Sequence, residues 1–327
     1  MSEFDRPSSI PTTKETPIAL LGIPLELGAG VRGAVMGPAA LRTAGIAEVL
    51  TELGHHVTDH GDVLAPQAVP VAMAEQDMSR CRHLGSVAAH VQAIHDHALA
   101  LVARDERTVF LGGDHALSMG TISAVARHCA DRGRELAVLW LDAHADFNTP
   151  ASSPSGNMHG MSVAFLTGET SLAPLLGGRP FVPVPFENVH LFGLRSVDAE
   201  ERRRIAAAGF GAVDMRMIDE SGVSVLIAGI LETLAGRDVH LHVSLDVDFL
   251  DPACAPGVGT TVPGGATERE AHLIMEMLHD SGIVRSLDVV ELNPFLDDRG
   301  KSARLLTDLV ASLFGRSVLS RPRPARP

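Results

Sequence analysis

Two apolar runs end abruptly in acid, and this restricts the fold more than any other feature of the chain. Leu136-Ala-Val-Leu-Trp-Leu141 runs straight into Asp142-Ala-His144-Ala-Asp146, and Val239-His-Leu-His-Val-Ser-Leu245 into Asp246-Val-Asp248. Both runs read as buried strands. Side chains alternate along a strand, so residues two apart project to one side. Asp142, His144 and Asp146 therefore converge beyond one strand end, and Asp246 and Asp248 beyond another. Carboxylates packed that closely repel one another unless positive charge sits among them. A pair of divalent cations is the economical answer.

Strand-like and helical patterns alternate along the rest of the chain. Strands are expected at Pro17–Ile23, Val57–Val63, Arg107–Gly112, Leu136–Leu141, Asn188–Leu194, Val239–Leu245 and Arg285–Leu292. Helices are expected over 39–53, 84–104, 198–208, 218–236, 267–281 and 302–315, with others starting near Ser118 and His159. Pro38 suits the opening of the first helix, and residues 64–82, rich in Pro, Ala and Met, read as a loop. Glu26-Leu-Gly-Ala-Gly-Val-Arg-Gly33 is glycine-rich but lacks the GxGxxG spacing of a dinucleotide site.

This alternation implies an α/β fold, a mostly parallel central sheet with helices on both faces. A length of 327 residues allows two domains at ~150 residues each, but no linker divides the chain, and a single domain is expected over 17–316. Residues 1–16 are read as a flexible N-terminus, and 317–327, containing Ser320-Arg-Pro-Arg-Pro-Ala-Arg-Pro327, as a flexible Arg/Pro-rich tail.

The formal charge of −13 would fall only to −9 with two divalent ions bound (−13 + 4), which argues against nucleic-acid or anionic-membrane binding. A cationic small-molecule substrate fits that balance. Cys81, Cys129 and Cys254 are odd in number and show no CxxC pattern. The polar start, Met1-Ser-Glu-Phe-Asp-Arg-Pro7, lacks the apolar stretch of a signal peptide, and no apolar run approaches the ~20 residues of a membrane span. The expectation is a reduced, cytoplasmic protein.

His115, Asp142, His144, Asp146, Asp246, Asp248 and Glu291 all lie just after expected strands. In open α/β sheets the site forms outside the carboxyl ends of the strands, so these residues are the candidate centre. The same residues carry a resemblance. Gly112-Gly-Asp-His-Ala-Leu-Ser-Met-Gly120, Leu141-Asp-Ala-His-Ala-Asp146 and Ser244-Leu-Asp-Val-Asp-Phe-Leu-Asp-Pro252 are similar to the three metal-binding signatures of the ureohydrolases. Ser155-Gly-Asn-Met-His-Gly160, Ala255-Pro-Gly-Val-Gly-Thr260, Glu291-Leu-Asn-Pro294 and Arg32-Gly-Ala-Val-Met-Gly-Pro38 resemble, within that group, the arginase family. The resemblance covers roughly residues 17–316.

What it implies is an arginase-like three-layer fold and hydrolysis of L-arginine to L-ornithine and urea by a hydroxide bridging two Mn²⁺ ions. His115, Asp142, Asp146 and Asp246 would hold one ion, and Asp142, His144, Asp246 and Asp248 the other. The oxygen-rich ligand set suits Mn²⁺, with Fe²⁺, Co²⁺ or Ni²⁺ as alternatives. Asp146 would accept and relay the proton, His159 would shuttle one, and Glu291 would anchor the guanidinium. Asn148, Ser155 and Asn157 match positions that hold the substrate α-carboxylate, Asp198 and Glu201 those near the α-amino group, and Thr260 one lining the site. Ser153, also among the expected substrate-binding positions, stands where threonine is frequent in the family. The resemblance also implies a homotrimer or homohexamer.

Other readings stand beside these. Asp198 and Glu201 also suit the first turn of a helix, favoured by its dipole, and Glu291 suits a structural partner of an arginine. The rival functions are another ureohydrolase of agmatinase or guanidinobutyrase type, a metal-dependent deacetylase on a related fold, and a non-catalytic metal-binding homologue.

Overall fold

The computed structural model describes residues 17–319, so the N-terminal segment 1–16 and residues 320–327 of the Arg/Pro tail lie outside the described residues. Eight strands form one sheet: β1 (Ile18–Ile23), β2 (Val57–Asp62), β3 (Arg107–Gly112), β4 (Glu135–Leu141), β5 (Val189–Leu194), β6 (Gly211–Asp214), β7 (Val239–Asp246) and β8 (Val284–Val290). Their order is β2-β1-β3-β8-β7-β4-β5-β6, and every pairing is parallel. The expected parallel α/β sheet is present.

Each strand of the centre is buried on both faces, which is why the sequence reads as unbroken apolar runs rather than alternation. Along β4, Ala137, Leu139 and Leu141 face one apolar layer, and Val138 and Trp140 the other. The first layer is completed by α1 (Gly37–Thr43), α2 (Ile46–Glu52), α8 (Met215–Ser221), α9 (Val223–Leu234), α10 (Glu268–Ser281) and α11 (Lys301–Leu313). The second is built on α4 (Leu84–Val102), α5 (Ser118–Asp131) and α6 (Ser162–Leu166). The remaining helices are α3 (Glu75–Met78) and α7 (Ala199–Ala208).

Several elements differ from expectation. The helix expected over 39–53 is two helices, because Gly45 at φ 86° turns the chain between α1 and α2. That expected over 218–236 is divided between α8 and α9 at Gly222, φ 80°. Both glycines occupy a region that other residues enter at a cost. The loop 64–82 contains the single turn of α3. Strand β6, four residues at the sheet edge with only Val213 buried, carries too short a pattern to be read.

The sheet order has one consequence for chemistry. β3, β8, β7 and β4 are consecutive neighbours, and Leu111, Val289, Leu245 and Leu141 form a single row across them. Asp142 and Asp246 stand one residue beyond that row, Glu291 two and His115 four. All four strands therefore deliver their polar residues to one place.

Candidate active site

The same local device ends three of these strands. The carboxylate of an aspartate accepts the backbone N–H two residues on: Asp114 from Ala116 (3.0 Å), Asp142 from His144 (2.6 Å) and Asp246 from Asp248 (2.7 Å). Such bonds bend the chain out of the strand and fix the acid before any tertiary contact forms. Asp146 and Glu291 have φ of 49° and 64°. Non-glycine residues rarely adopt that conformation, and here it turns both carboxylates into the centre.

Ligand atoms of His115, Asp142 and Asp246 lie within 4.8 Å of one another, as do those of Asp142, His144 and Asp248. Asp142 belongs to both groups. His115 Nδ1 is 3.0 Å from Asp142 Oδ2, 3.1 Å from Asp246 Oδ2 and 3.3 Å from Asp146 Oδ2. None of these approaches has hydrogen-bond geometry, and Nδ1 is left buried without a partner. His144 Nδ1 lies 2.9 Å from Asp248 Oδ2 and 3.4 Å from Asp142 Oδ1.

The groups around the centre hold both ligands in place. His115 stacks on Trp140 with ring centroids 3.9 Å apart, and the indole N–H donates to Asp142 Oδ2 at 2.9 Å. His115 Nε2 meets Ser244 Oγ at 2.8 Å. Asp248 Oδ1 accepts from Ala143 N at 3.0 Å. A metal-binding histidine ordinarily has its second nitrogen occupied in this way.

The electrostatics call for positive charge. Burial, then Asp248 and Asp142, push the Asp246 carboxyl well above its usual range, and burial with Asp142 does the same to Asp146. Asp248 is raised to about 6 by burial and Asp142. Burial disfavours a charged His144, yet its bonds to Asp142 and Asp248 overcome this and push it up to about 12. Groups that hold protons so tightly would exchange them for cations. Buried carboxylates, two imidazoles and an unpartnered Nδ1 suit a divalent ion that accepts oxygen and nitrogen ligands.

Beside this cluster lies a cleft of about 190 Å³. His144, Asp146, Asp246 and Asp248 of the cluster line it together with Asn148, His159, Asp198, Glu201, Thr260 and Glu291, and Gly160, Ser196 and Val258 complete it. Sequence reading did not single out these last three. Ser196 is held by its own N–H to Ala143 O, 3.0 Å, a contact that no local pattern announces. Glu291 Oε1 accepts from His115 N at 2.8 Å and faces His159 Nδ1 at 2.9 Å. Burial opposes charge on His159, but Glu291 outweighs it and raises the imidazole to about 9. Glu291 pairs with a histidine here and not with an arginine.

Asp198 caps α7, accepting from Glu201 N at 2.9 Å, and also accepts from Asn148 Nδ2 at 2.9 Å. It therefore fills the helix-terminus role while lining the cleft. Glu201 is buried and accepts from Phe147 N at 2.8 Å. Ser153, Ser155 and Asn157 are not in the cleft wall. Ser153 Oγ accepts from Gly156 N and Ser155 Oγ from Asn157 N, so both shape the loop, and Asn157 Oδ1 faces Arg82.

Comparison with known proteins agrees with this geometry. The sequence model of the arginase family matches residues 16–315. This chain belongs to the arginase family. It is 52% identical to the arginase of Agrobacterium fabrum over 307 residues, 92% of each chain, and 50% identical to that of Brucella melitensis over 309 residues, 93% of this chain and 97% of the relative. The solved arginase of Bacillus caldovelox superposes with a TM-score of 0.85 at 39% identity, covering 93% of this chain and all of that one. Arginase-family enzymes are hydrolases with a binuclear metal centre, and the two ligand groups sharing Asp142 are candidates to hold one. No helix among the described residues is long and apolar enough to cross a membrane.

Proposed function

We propose that this arginase-family hydrolase converts L-arginine and water to L-ornithine and urea, with two Mn²⁺ ions bound, as a cytoplasmic homotrimer or homohexamer. One observation carries the reading: two ligand groups share Asp142, and the cleft beside them, into which His144, Asp146, Asp246 and Asp248 reach, has Glu291, Asp198 and Glu201 in its wall. That wall complements a substrate with two cationic groups.

His115, Asp142, Asp146 and Asp246 would hold one ion, and Asp142, His144, Asp246 and Asp248 the other. When bound, such a pair lowers the pKa of a water enough to supply a nucleophile near neutral pH. The remaining work falls to side chains. Glu291 Oε1 is engaged by His115 and His159, so Oε2 is the atom for a guanidinium N–H, a charge-assisted bond to a planar donor. Asp146, in the cleft wall next to the cluster, would take the proton of the attacking water and give it to the departing amine. His159, protonated near neutrality beside Glu291, exchanges protons between the cleft and solvent.

Asn148, and with it Ser155 and Asn157 on the adjoining loop, would receive the α-carboxylate. Asp198 and Glu201 would receive the α-amino group, with Thr260 closing the wall and Ser153 keeping the loop's shape. A guanidine without these groups would leave buried polar atoms unpaired and be rejected.

The test is urea release by protein stripped with chelator and then resupplied with Mn²⁺, given arginine, agmatine or guanidinobutyrate. Metal-dependent urea from arginine alone is expected. Urea from a decarboxylated guanidine instead would overturn the substrate assignment, and none from any guanidine with two ions bound would overturn the activity.

A further inference from the structure

Beneath the cluster, on the α5 side of the sheet, lies a file of buried polar side chains that the proposed chemistry does not use. β7 contributes His240, His242 and Ser244 at alternate positions, β8 contributes Ser286 and Asp288, and α5 contributes Ser118 and Thr121. All are buried, and Asp288 is 0% exposed, with no arginine or lysine paired to it among the described residues. An acid in such a place is costly unless donors converge on it. They do. Ser118 Oγ donates to Asp288 Oδ2 at 2.8 Å and Thr121 Oγ1 to the same oxygen at 2.9 Å, while His242 Nε2 lies 3.2 Å away without hydrogen-bond geometry and Oδ1 has no partner.

Counting hydrogens gives these contacts a direction. A serine hydroxyl has one proton to donate. Ser118 gives its proton to Asp288, so at its 3.4 Å contact with Ser244 Oγ it accepts. Ser244 can then give its proton to Ser118, and in that arrangement it accepts from His115 Nε2 at 2.8 Å. The His115 proton is then on Nε2, which leaves Nδ1 bare where Asp142, Asp146 and Asp246 surround it. A bare nitrogen is the form that binds a metal.

The geometry points to Asp288 as a positioning residue that fixes the metal-binding tautomer of His115 through Ser118 and Ser244. It touches neither substrate nor metal. It terminates a one-way row of hydrogen bonds, and a row that ended on a donor would favour the wrong tautomer. This rests on the reading that His115 binds an ion.

Two variants separate the relay from general packing. Ser118→Ala and Thr121→Val each remove one donor from the same Asp288 oxygen at a fully buried site, but only Ser118 stands between Asp288 and Ser244. Calorimetric titration of chelator-stripped protein with Mn²⁺ is the measurement, alongside melting of the metal-free form. Wild type is expected to take two ions. Ser118→Ala should bind one of them about 10-fold more weakly, the low end of the ~10–100-fold cost of losing an outer partner, and Thr121→Val should match wild type. Should Ser118→Ala not fold, Ser118→Cys keeps the volume with a weak donor and should show the same loss.

Equal weakening in both variants, equal weakening of both ions, or no change in either variant would overturn the relay. Wild type that takes up no Mn²⁺ would instead overturn the metal reading on which it rests.

Discussion

Replacing Glu201 by glutamine should make stability less sensitive to pH. Burial, chiefly, raises the Glu201 carboxyl from 4.5 to about 7, against the bond from Phe147 N, with Asp198 adding to the rise. At about 1.36 kcal/mol per pH unit, the ionised group is roughly 3 kcal/mol less favourable in the folded chain than in the unfolded one. The folded state binds the extra proton between about pH 4.5 and 7, so stability falls as pH rises through that window. Below it both states are protonated, and the difference disappears.

Glutamine keeps the oxygen for Phe147 N and removes the charge. Between pH 5 and 8 its advantage over wild type should grow by about 2.5 kcal/mol. With an unfolding entropy near 2.1 cal/mol/K per residue over about 300 residues, that is about 4 °C in melting temperature. Melting curves of both proteins in chelator at pH 5, 6, 7 and 8 read this directly, because titrations common to both cancel. A melting difference that stays constant from pH 5 to 8 would refute the argument from burial. In the loaded enzyme the same variant should raise KM for arginine with little change in kcat, the pattern of lost binding common to ground and transition states.

Asp142→Asn alters the residue common to both ligand groups. Metal analysis after dialysis should find both ions lost, and urea release should fall by more than the ~100-fold that an outer partner costs. Gly113→Ala would put a Cβ 1.8 Å from Leu25 O. The segment carrying His115 must then move off the 23–25 loop, and calorimetry should find a loss of about 4 kcal/mol or more, the range of gross core disruption; a variant that melts with wild type would contradict it.

Much of the centre was legible because its signals are local. β3, β4, β7 and β8 are unbroken apolar runs, the mark of strands covered on both faces. The residues behind them, from His115 to Glu291, follow closely on those strands, but the Asp turns at 114, 142 and 246 and the positive φ of Asp146 and Glu291, not continued strand alternation, aim them at one place. The parallel α/β class came from the alternation of the two periods, and the family resemblance from motifs within the same short stretches. Where a helix was broken by a single glycine, as at Gly45 and Gly222, propensity over the window outvoted the one residue that decides the backbone.

Sequence alone thus determined seven of the eight described strands and the polar residues that follow them. Only the tertiary structure decided which ends meet. Hydrophobic period reports burial, not neighbours, so nothing local says that β8 lies between β3 and β7 or that Leu111, Val289, Leu245 and Leu141 share a row. Contacts across long separations have no sequence signature either. His159 meets Glu291 132 residues away, and Ser118 meets Asp288 170 residues away. The same holds for Ser196 and Val258 in the cleft wall, and for Ser153, Ser155 and Asn157 outside it. A side chain's place in a cleft depends on how its loop packs, which is a property of the whole fold and of no window along it.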